Sequence, residues 1–341
     1  MFEQAFGFSN EDYQVPMTMD KVFPIASNTK LFTAVALYLL QEQGKVNLSR
    51  AVNDDLTQED FAKFGFINQT AWCPVLQDSP NSPCYNITYQ QLLSMSSGFK
   101  DDNSNVEYLN NFEAPYKGSI KYYVGLAINN PLVYVPGTNY SYSNQNFILA
   151  TYIVEKLSGL KFGEYLRKEI FEPLNLQSTF YNEYDGALGI YRNYSDQYYR
   201  FFVNDTGMEL GVGACGLGRG LLSSGAKSGA GGITASVDDV IALYLDLFSN
   251  HGTKSKILTA DSIQQIVQPW TLMHTITSPT PAEVFYSQGI GATYTNTSSN
   301  WPAVLNYCGE DGCANSCISM YTLDANSSTI AAAFSSNSFY V

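Results

Sequence analysis

Four serine–lysine pairs in this 341-residue chain have the spacing S-x-x-K: Ser27/Lys30, Ser97/Lys100, Ser158/Lys161 and Ser224/Lys227. On a helix that spacing stacks a hydroxyl and an amine on one face, within reach of each other. The chemistry open to such a pair is nucleophilic: the serine oxygen attacks a carbonyl while the lysine takes its proton. A lysine accepts a proton near neutrality only if burial or a neighbouring cation brings its pKa well below about 10.4. Context separates the first pair from the others. In FPIASNTKLFTAVALYLLQEQG, residues 23–44, an extended segment gives way to an apolar run, so Ser27 stands at the start of a buried helix. Free backbone N–H groups and the positive end of the helix dipole stabilise developing negative charge there. The same residues also admit a structural reading, in which Ser27 caps the helix and Lys30 extends its ammonium to solvent. Periodicity does not choose between the two.

Y-x-N also occurs four times, at Tyr108/Asn110, Tyr142/Asn144, Tyr191/Asn193 and Tyr294/Asn296. Only Tyr142 has a suggestive setting. It follows PGTNYS and directly precedes the helical stretch NFILATYIVEKLSG, which places its phenol and the Asn144 amide on a loop at a helix start. The other three read as surface tyrosines, two of them overlapping N-x-S/T sequons. Competing catalytic designs lack their parts. His251 and His274 stand alone without a G-x-S-x-G elbow. H-E-x-x-H, a Walker loop and a dinucleotide-binding glycine turn are all absent, so no metal and no cofactor are expected.

Charge narrows the partners. With 31 acidic against 18 basic residues the net charge is −13, and the pI is near 4.5. Such a chain repels phosphate backbones and anionic membrane surfaces, so neither a nucleic-acid nor a membrane partner is expected. No apolar segment reaches the roughly 18 to 20 residues of a bilayer crossing, because Gln41, Glu42, Gln43 and Gly44 break the run after Lys30. Sequons begin at Asn47, Asn68, Asn86, Asn139, Asn193, Asn204, Asn296 and Asn326. Their density fits a glycosylated product of a eukaryotic secretory pathway, with an Asn-rich cytosolic chain as the alternative. Cys73 and Cys84 bracket CPVLQDSPNSPC and read as a local disulfide. Cys308, Cys313 and Cys317 crowd together, with Cys215 left for one of them. A zinc site is the alternative, but no histidine lies near these cysteines, and disulfides in an oxidising, extracellular or secretory compartment are the preferred reading. No signal peptide follows Met1, so either the chain is not exported or its true start lies upstream.

The elements that must position these residues follow from periodicity. Residues 2–8 and 22–26 read as strands or extended segments. Thr29 to Gln43 reads as a helix stopped by Gly44, and its apolar residues on every face place it in the middle of the protein. Residues 51–211 read as shorter helices joined by long polar loops, and the glycine-rich stretch 211–232 as turns. A helix, SVDDVIALYLDLFS, and three strand-like runs, QGIGATYTN, CISMYTLD and STIAAAFSS, follow. The pattern is α+β, with a discontinuous α/β lobe (1–50 and 212–341), a mainly helical lobe (51–211) and the site at their interface.

SNTK at 27–30 after FPIA, LLSMSSGF at 92–99, VPGTNYSYSN at 135–144, IFEPLNLQSTFY at 170–181 and AGGITASVDDV at 230–240 occur in one order and spacing. In these the chain resembles the serine β-lactamase and penicillin-recognising superfamily. Its class C-like branch, of β-lactamases, D-alanyl-D-alanine carboxypeptidases, D-aminopeptidases and esterases, is the nearest in pattern. The resemblance covers nearly the whole chain and implies an antiparallel sheet flanked by helices plus a helical lobe, with the site in the cleft between. It implies that Ser27 forms an acyl-enzyme, that Lys30 and Tyr142 share proton transfer, and that Asn144 binds the substrate's amide or carbonyl. The Ser27 N–H would be half of an oxyanion hole. The other half would come from the strand of the family's third motif, Lys/His-x-Gly. Here LNYCGEDGC puts Tyr307-Cys308-Gly309 in that place, with Glu310 offering its backbone N–H.

A phenol donates a hydrogen bond but carries no charge, and charge roughly doubles the strength of such a bond to a carboxylate. The expected substrate is therefore an uncharged ester or amide, small-molecule or peptide-like. Met95 stands where the family often has histidine and is expected to be a packing change. The family's elements before the first strand and after the last are missing, which leads to the expectation of a fragment truncated at both ends. A non-catalytic binding protein on the same fold is the second reading, and the retained Ser27, Lys30, Tyr142 and Asn144 weigh against it.

Overall fold

The computed structural model describes residues 3–10, 13–101, 119–181, 198–202, 209–214, 224–277, 281–295, 299–310, 315–324, 327–335 and 337–339. A small antiparallel pair, β1 (Phe8–Asn10) and β2 (Val15–Pro16), precedes β3 (Phe23–Pro24). One 3-10 turn, Ala26–Asn28, leads into α1 (Thr29–Glu42). Every residue from Leu31 to Leu40 is buried, as apolar residues on all faces require, so α1 is the axis of the core. Gly44, at φ 70°, takes the left-handed conformation that ends the helix.

The middle of the chain supplies α2 (Gln58–Lys63), α3 (Tyr89–Leu93), α4 (Ile120–Asn129), α5 (Gln145–Ser158) and α6 (Phe162–Leu166). A π-turn at Arg167–Phe171 joins α6 to α7 (Glu172–Leu174). Capping boxes at Thr57 and Thr88 start α2 and α3 by satisfying backbone donors that a helix leaves free. Strands occur here too: β4 (Thr179–Tyr181), β5 (Tyr198–Phe202) and β6 (Glu209–Ala214). β4 pairs antiparallel with β7 (Ile233–Ala235), and β7 also pairs with β3. This short sheet ties the segment before Ser27, as its edge strand, to β7 from much later in the chain.

The glycine-rich stretch is not turns alone. It contributes β6 and α8 (Ser224–Gly231), which is kinked at Ser228. α8 packs against both α1 and α5. A Cβ on Gly229 would lie 2.3 Å from Thr151 Oγ1 and 2.5 Å from Thr33 Oγ1, so only glycine lets the backbone approach both helices.

After α9 (Val237–Phe248) and α10 (Ala260–Val267) comes a six-stranded antiparallel sheet. Its strands are β8 (Thr271–Ile276), β9 (Ala282–Tyr286), β10 (Gly291–Tyr294), β11 (Val304–Glu310), β12 (Asn315–Asp324) and β13 (Ser327–Ser335), in the order β13-β12-β11-β10-β9-β8. β14 (Asn337–Phe339) pairs parallel with β5. The three strand-like runs of the sequence are β10, β12 and β13. β8 and β9 escaped notice because β8 exposes Leu272, Met273 and Ile276 and lacks the alternation of a half-buried strand. Cys73 and Cys84 form the local disulfide, with Cα atoms 4.6 Å apart. Cys308 pairs with Cys317, its direct partner across β11 and β12, while Cys215 and Cys313 lie outside the described residues.

Candidate active site

From Val22 to Leu40, Ser27 is the one residue that is not buried. The backbone before it sets this exposure. Ala26 has φ 46°, a left-handed conformation that costs a residue with a Cβ about 1 kcal/mol or more. Hydrogen bonds from the sheet hold the turn in that shape. Asn28 Nδ2 donates to Ser316 O at 2.9 Å and to Ser316 Oγ at 2.8 Å, and Ser316 Oγ donates to Ile25 O at 2.8 Å.

Lys30, one turn along α1, is fully buried. Its Nζ donates to Ser27 Oγ at 2.9 Å, to Asn144 Oδ1 at 2.8 Å and to Ala230 O at 2.7 Å. Three acceptors account for all three protons of an ammonium. Tyr142 Oη lies 2.6 Å from Ser27 Oγ. The ammonium also sits 4.9 Å from the centroid of the Tyr142 ring and 5.7 Å from that of Phe147, both within cation–π range. Three separate parts of the chain thus converge on the Ser27–Lys30 pair. The capping arrangement is not the one adopted: α1 has no side-chain cap bond, and Lys30 points inward.

Burial pulls the pKa of Lys30 below the ordinary lysine value, against the opposing pull of the Tyr142 and Asp101 charges. For Tyr142, burial alone pushes the phenol up. The Lys30 charge and the Ser27 hydrogen bond outweigh it and bring the phenol below its ordinary value. Both groups are therefore held below their ordinary proton affinities, Lys30 by burial and Tyr142 by the charge of Lys30. The Ser27 hydroxyl lies between them, within proton-transfer distance of both.

The third motif approaches from the sheet. β10 pairs with β11 only along Val304–Asn306, and beyond it β11 runs beside the Ser27 turn. Gly309 makes the contact: a Cβ there would stand 2.3 Å from Ile25 O and 2.7 Å from Ser27 N. The backbone N–H of Ser27 is thereby brought beside the Gly309–Glu310 end of β11, and the Glu310 side chain lies outside the described residues. Tyr307 is half-buried and hydrogen-bonds Tyr286 at 2.9 Å. Ser27, Lys30, Tyr142, Asn144, Tyr307 and Gly309 therefore share one locality.

Several contributors have no signature in the sequence. The Ala230 carbonyl was hidden in a run of small residues, and only the crowding of glycines at 229, 231 and 232 hinted at close backbone approach. Ser316 and Tyr286 sit in ordinary strands. Met95 does more than fill space. Its backbone has φ 57°, its sulfur accepts from Ser143 N at 3.4 Å and Asn146 Nδ2 at 3.3 Å, and its carbonyl accepts from Ser141 N at 3.1 Å and Tyr134 Oη at 3.2 Å. These bonds pin the loop that carries Tyr142 and Asn144, a task for an acceptor and not merely for volume.

Comparison with known proteins gives the same frame. Protein flp of Staphylococcus aureus (strain N315) is 24% identical over 180 residues, 53% of this chain and 32% of the relative, so the match spans about a third of that protein's length. Among solved structures, a penicillin binding protein from Bacillus halodurans superposes with a TM-score of 0.71 at 21% identity, covering 97% of this chain and 86% of that one. EstCE1, a hydrolase with promiscuous acyltransferase activity, does so with a TM-score of 0.69 at 18% identity, covering 97% and 84%. The family model Beta-lactamase matches residues 1–340, and this chain belongs to the beta-lactamase family.

Proposed function

We propose that this chain is a serine hydrolase that cleaves an uncharged ester or amide through an acyl-enzyme on Ser27. The observation that carries the reading is the array Lys30–Ser27–Tyr142, in which the one accessible hydroxyl of a buried segment touches both a buried lysine nitrogen and a phenol. Tyr142, as the phenolate that the Lys30 charge favours, takes the Ser27 Oγ proton as the oxygen attacks the carbonyl carbon. The resulting oxyanion is held by the backbone N–H groups of Ser27 and Glu310. Tyr142, supported by Lys30, returns the proton to the leaving alcohol or amine. Water then enters by the same route and releases the acid. Asn144, fixed by its bond to Lys30, orients the acyl group. Tyr307 presents a neutral phenol at the rim, which disfavours substrates bearing a carboxylate.

A fluorophosphonate probe tests this directly: wild-type protein is expected to form one stoichiometric adduct on Ser27, and Ser27→Ala none. Absence of any adduct on folded wild-type protein favours a non-catalytic binding protein and sinks the hydrolase. The reading extends to a secreted glycoprotein, supported by the two disulfides and by the exposure of Asn47, Asn68, Asn86 and Asn139. Protein from its native source is then expected to lose mass on peptide N-glycosidase treatment, and an unchanged mass would refute it.

A further inference from the structure

The middle residue of Tyr307-Cys308-Gly309 takes no part in the reaction above, yet it carries a covalent bond. Cys308 is bridged to Cys317, its direct partner across β11 and β12, with Cα atoms 4.1 Å apart. The next pair along the ladder is Gly309 and Ser316. Side chains on a strand alternate between faces, so Gly309 and Ser316 meet the Ser27 turn while the bridge lies on the opposite face of the sheet. Cys308 is exposed and Cys317 half-buried, which keeps the bridge out of the cleft and within reach of solvent.

Strand pairing shows what this end of β11 lacks. β10 pairs with β11 at Val304, Leu305 and Asn306. Among the described residues, from Tyr307 to Glu310 the strand has β12 as its one strand neighbour. A strand that offers an N–H to a substrate oxygen cannot have that edge engaged in a ladder, so its end is held from one side alone. β12 is the firmer strand, because it pairs with β13 along its other edge from Asn315 onward. It also fixes the serine: Ser316 Oγ donates to Ile25 O at 2.8 Å, and Asn28 Nδ2 donates to Ser316 O at 2.9 Å. Both oxyanion donors are thus anchored on one strand, the Ser27 N–H through Ser316 and the Glu310 N–H through the ladder and the bridge.

We propose that the Cys308–Cys317 bridge is a clamp that locks the half-paired end of β11 to β12 and so fixes the spacing of the two oxyanion donors. Cys308 and Cys317 are positioning residues that act through the backbone and touch no substrate. The proposal rests on the acylation chemistry proposed above.

The double variant Cys308→Ser/Cys317→Ser nearly keeps side-chain size and removes the covalent bond. Fluorophosphonate labelling of Ser27 is expected to slow about tenfold, a fraction of the 10²- to 10³-fold that full loss of an oxyanion donor brings. Sulfur is a weak hydrogen-bond acceptor, so wild type is expected to favour an aryl ester over its thiono ester, and the double variant to lose that preference severalfold. Dithiothreitol reaches the same state from folded wild type and serves where the double variant does not fold. Its two thiols open the bridge by exchange, the two cysteines gain two electrons and two protons, and the reagent leaves as a cyclic disulfide. The labelling rate then falls toward that of the double variant and returns on reoxidation. Hydrogen exchange reads the clamp without turnover: peptides covering 22–28 and 304–310 exchange faster once the bridge is lost, while those from the centre of α1 do not change. A folded wild type that never acylates refutes the hydrolase, and faster exchange in those two peptides still supports the clamp. Unchanged exchange in both refutes the clamp. A slower rate with the ester preference intact also overturns it, since general loosening predicts that outcome.

Discussion

Lys30→Met slows acylation of Ser27 by about 10³-fold, the usual range for loss of general acid–base assistance, because Tyr142 loses the charge that supports it as the base, while the protein stays folded. Methionine matches the lysine stem in length, so the channel between α1, α5 and α8 remains filled. What is lost is the charge that keeps the Tyr142 phenol low and the bond that orients Ser27 Oγ. With that charge gone, burial dominates at Tyr142, its phenol rises, and the surviving activity moves to higher pH. The effect on stability is small because two terms oppose. Removing a buried ammonium relieves its desolvation, while Ala230 O and Asn144 Oδ1 lose a donor. Lys30→Arg separates charge from proton transfer, since a guanidinium keeps its charge and does not release its proton. Stopped-flow release of p-nitrophenol from a neutral ester, with thermal melts of each variant, measures both. Near-normal turnover in Lys30→Met would remove Lys30 from the mechanism.

Gly309→Ala is expected to damage fold and chemistry together. The added Cβ falls 2.3 Å from Ile25 O and 2.7 Å from Ser27 N, and neither backbone atom can swing aside as a side chain does. Separating β11 from the Ser27 turn disturbs the Asn28–Ser316–Ile25 bonds and costs about 2 kcal/mol, typical of overpacking. It also shifts the Ser27 N–H relative to the end of β11. Misplacing one oxyanion donor lowers turnover about 10²-fold. Urea unfolding and the rate of fluorophosphonate labelling report the two effects. Labelling at the wild-type rate by a destabilised Gly309→Ala protein would show that β11 supports the turn and takes no part in the chemistry.

Legibility in the sequence followed local physics. The helix after Ser27 could be read because burial on every side needs apolar residues at nearly every position, and its end because Gly44 adopts a left-handed φ. β10, β12 and β13 could be read from their runs, and the Cys73–Cys84 bridge from its short polar loop. β8 could not, since its apolar residues face outward. The glycine-rich segment was misread as turns because glycine signals both turns and close packing, and only the neighbours Thr33 and Thr151 distinguish them. Met95 was read by volume, whereas its sulfur acts as an acceptor for the Tyr142 loop.

By itself the sequence determined which residues could do chemistry and in what order they stand along the chain: a serine at the start of a buried helix, a lysine one turn on, Tyr142 and Asn144 at a second helix start, and a tyrosine where a cation was expected. Whether Lys30 faces solvent or the serine was decided by tertiary structure alone. The acceptors that satisfy its ammonium come from residues 27, 144 and 230, and their meeting depends on α8 wedging between α1 and α5. The same holds for Tyr307, whose partner Tyr286 lies two strands away on β9 and is brought to it only by packing. Local pattern records what one segment needs, while a buried charge or phenol is defined by groups remote in sequence that share its desolvated space.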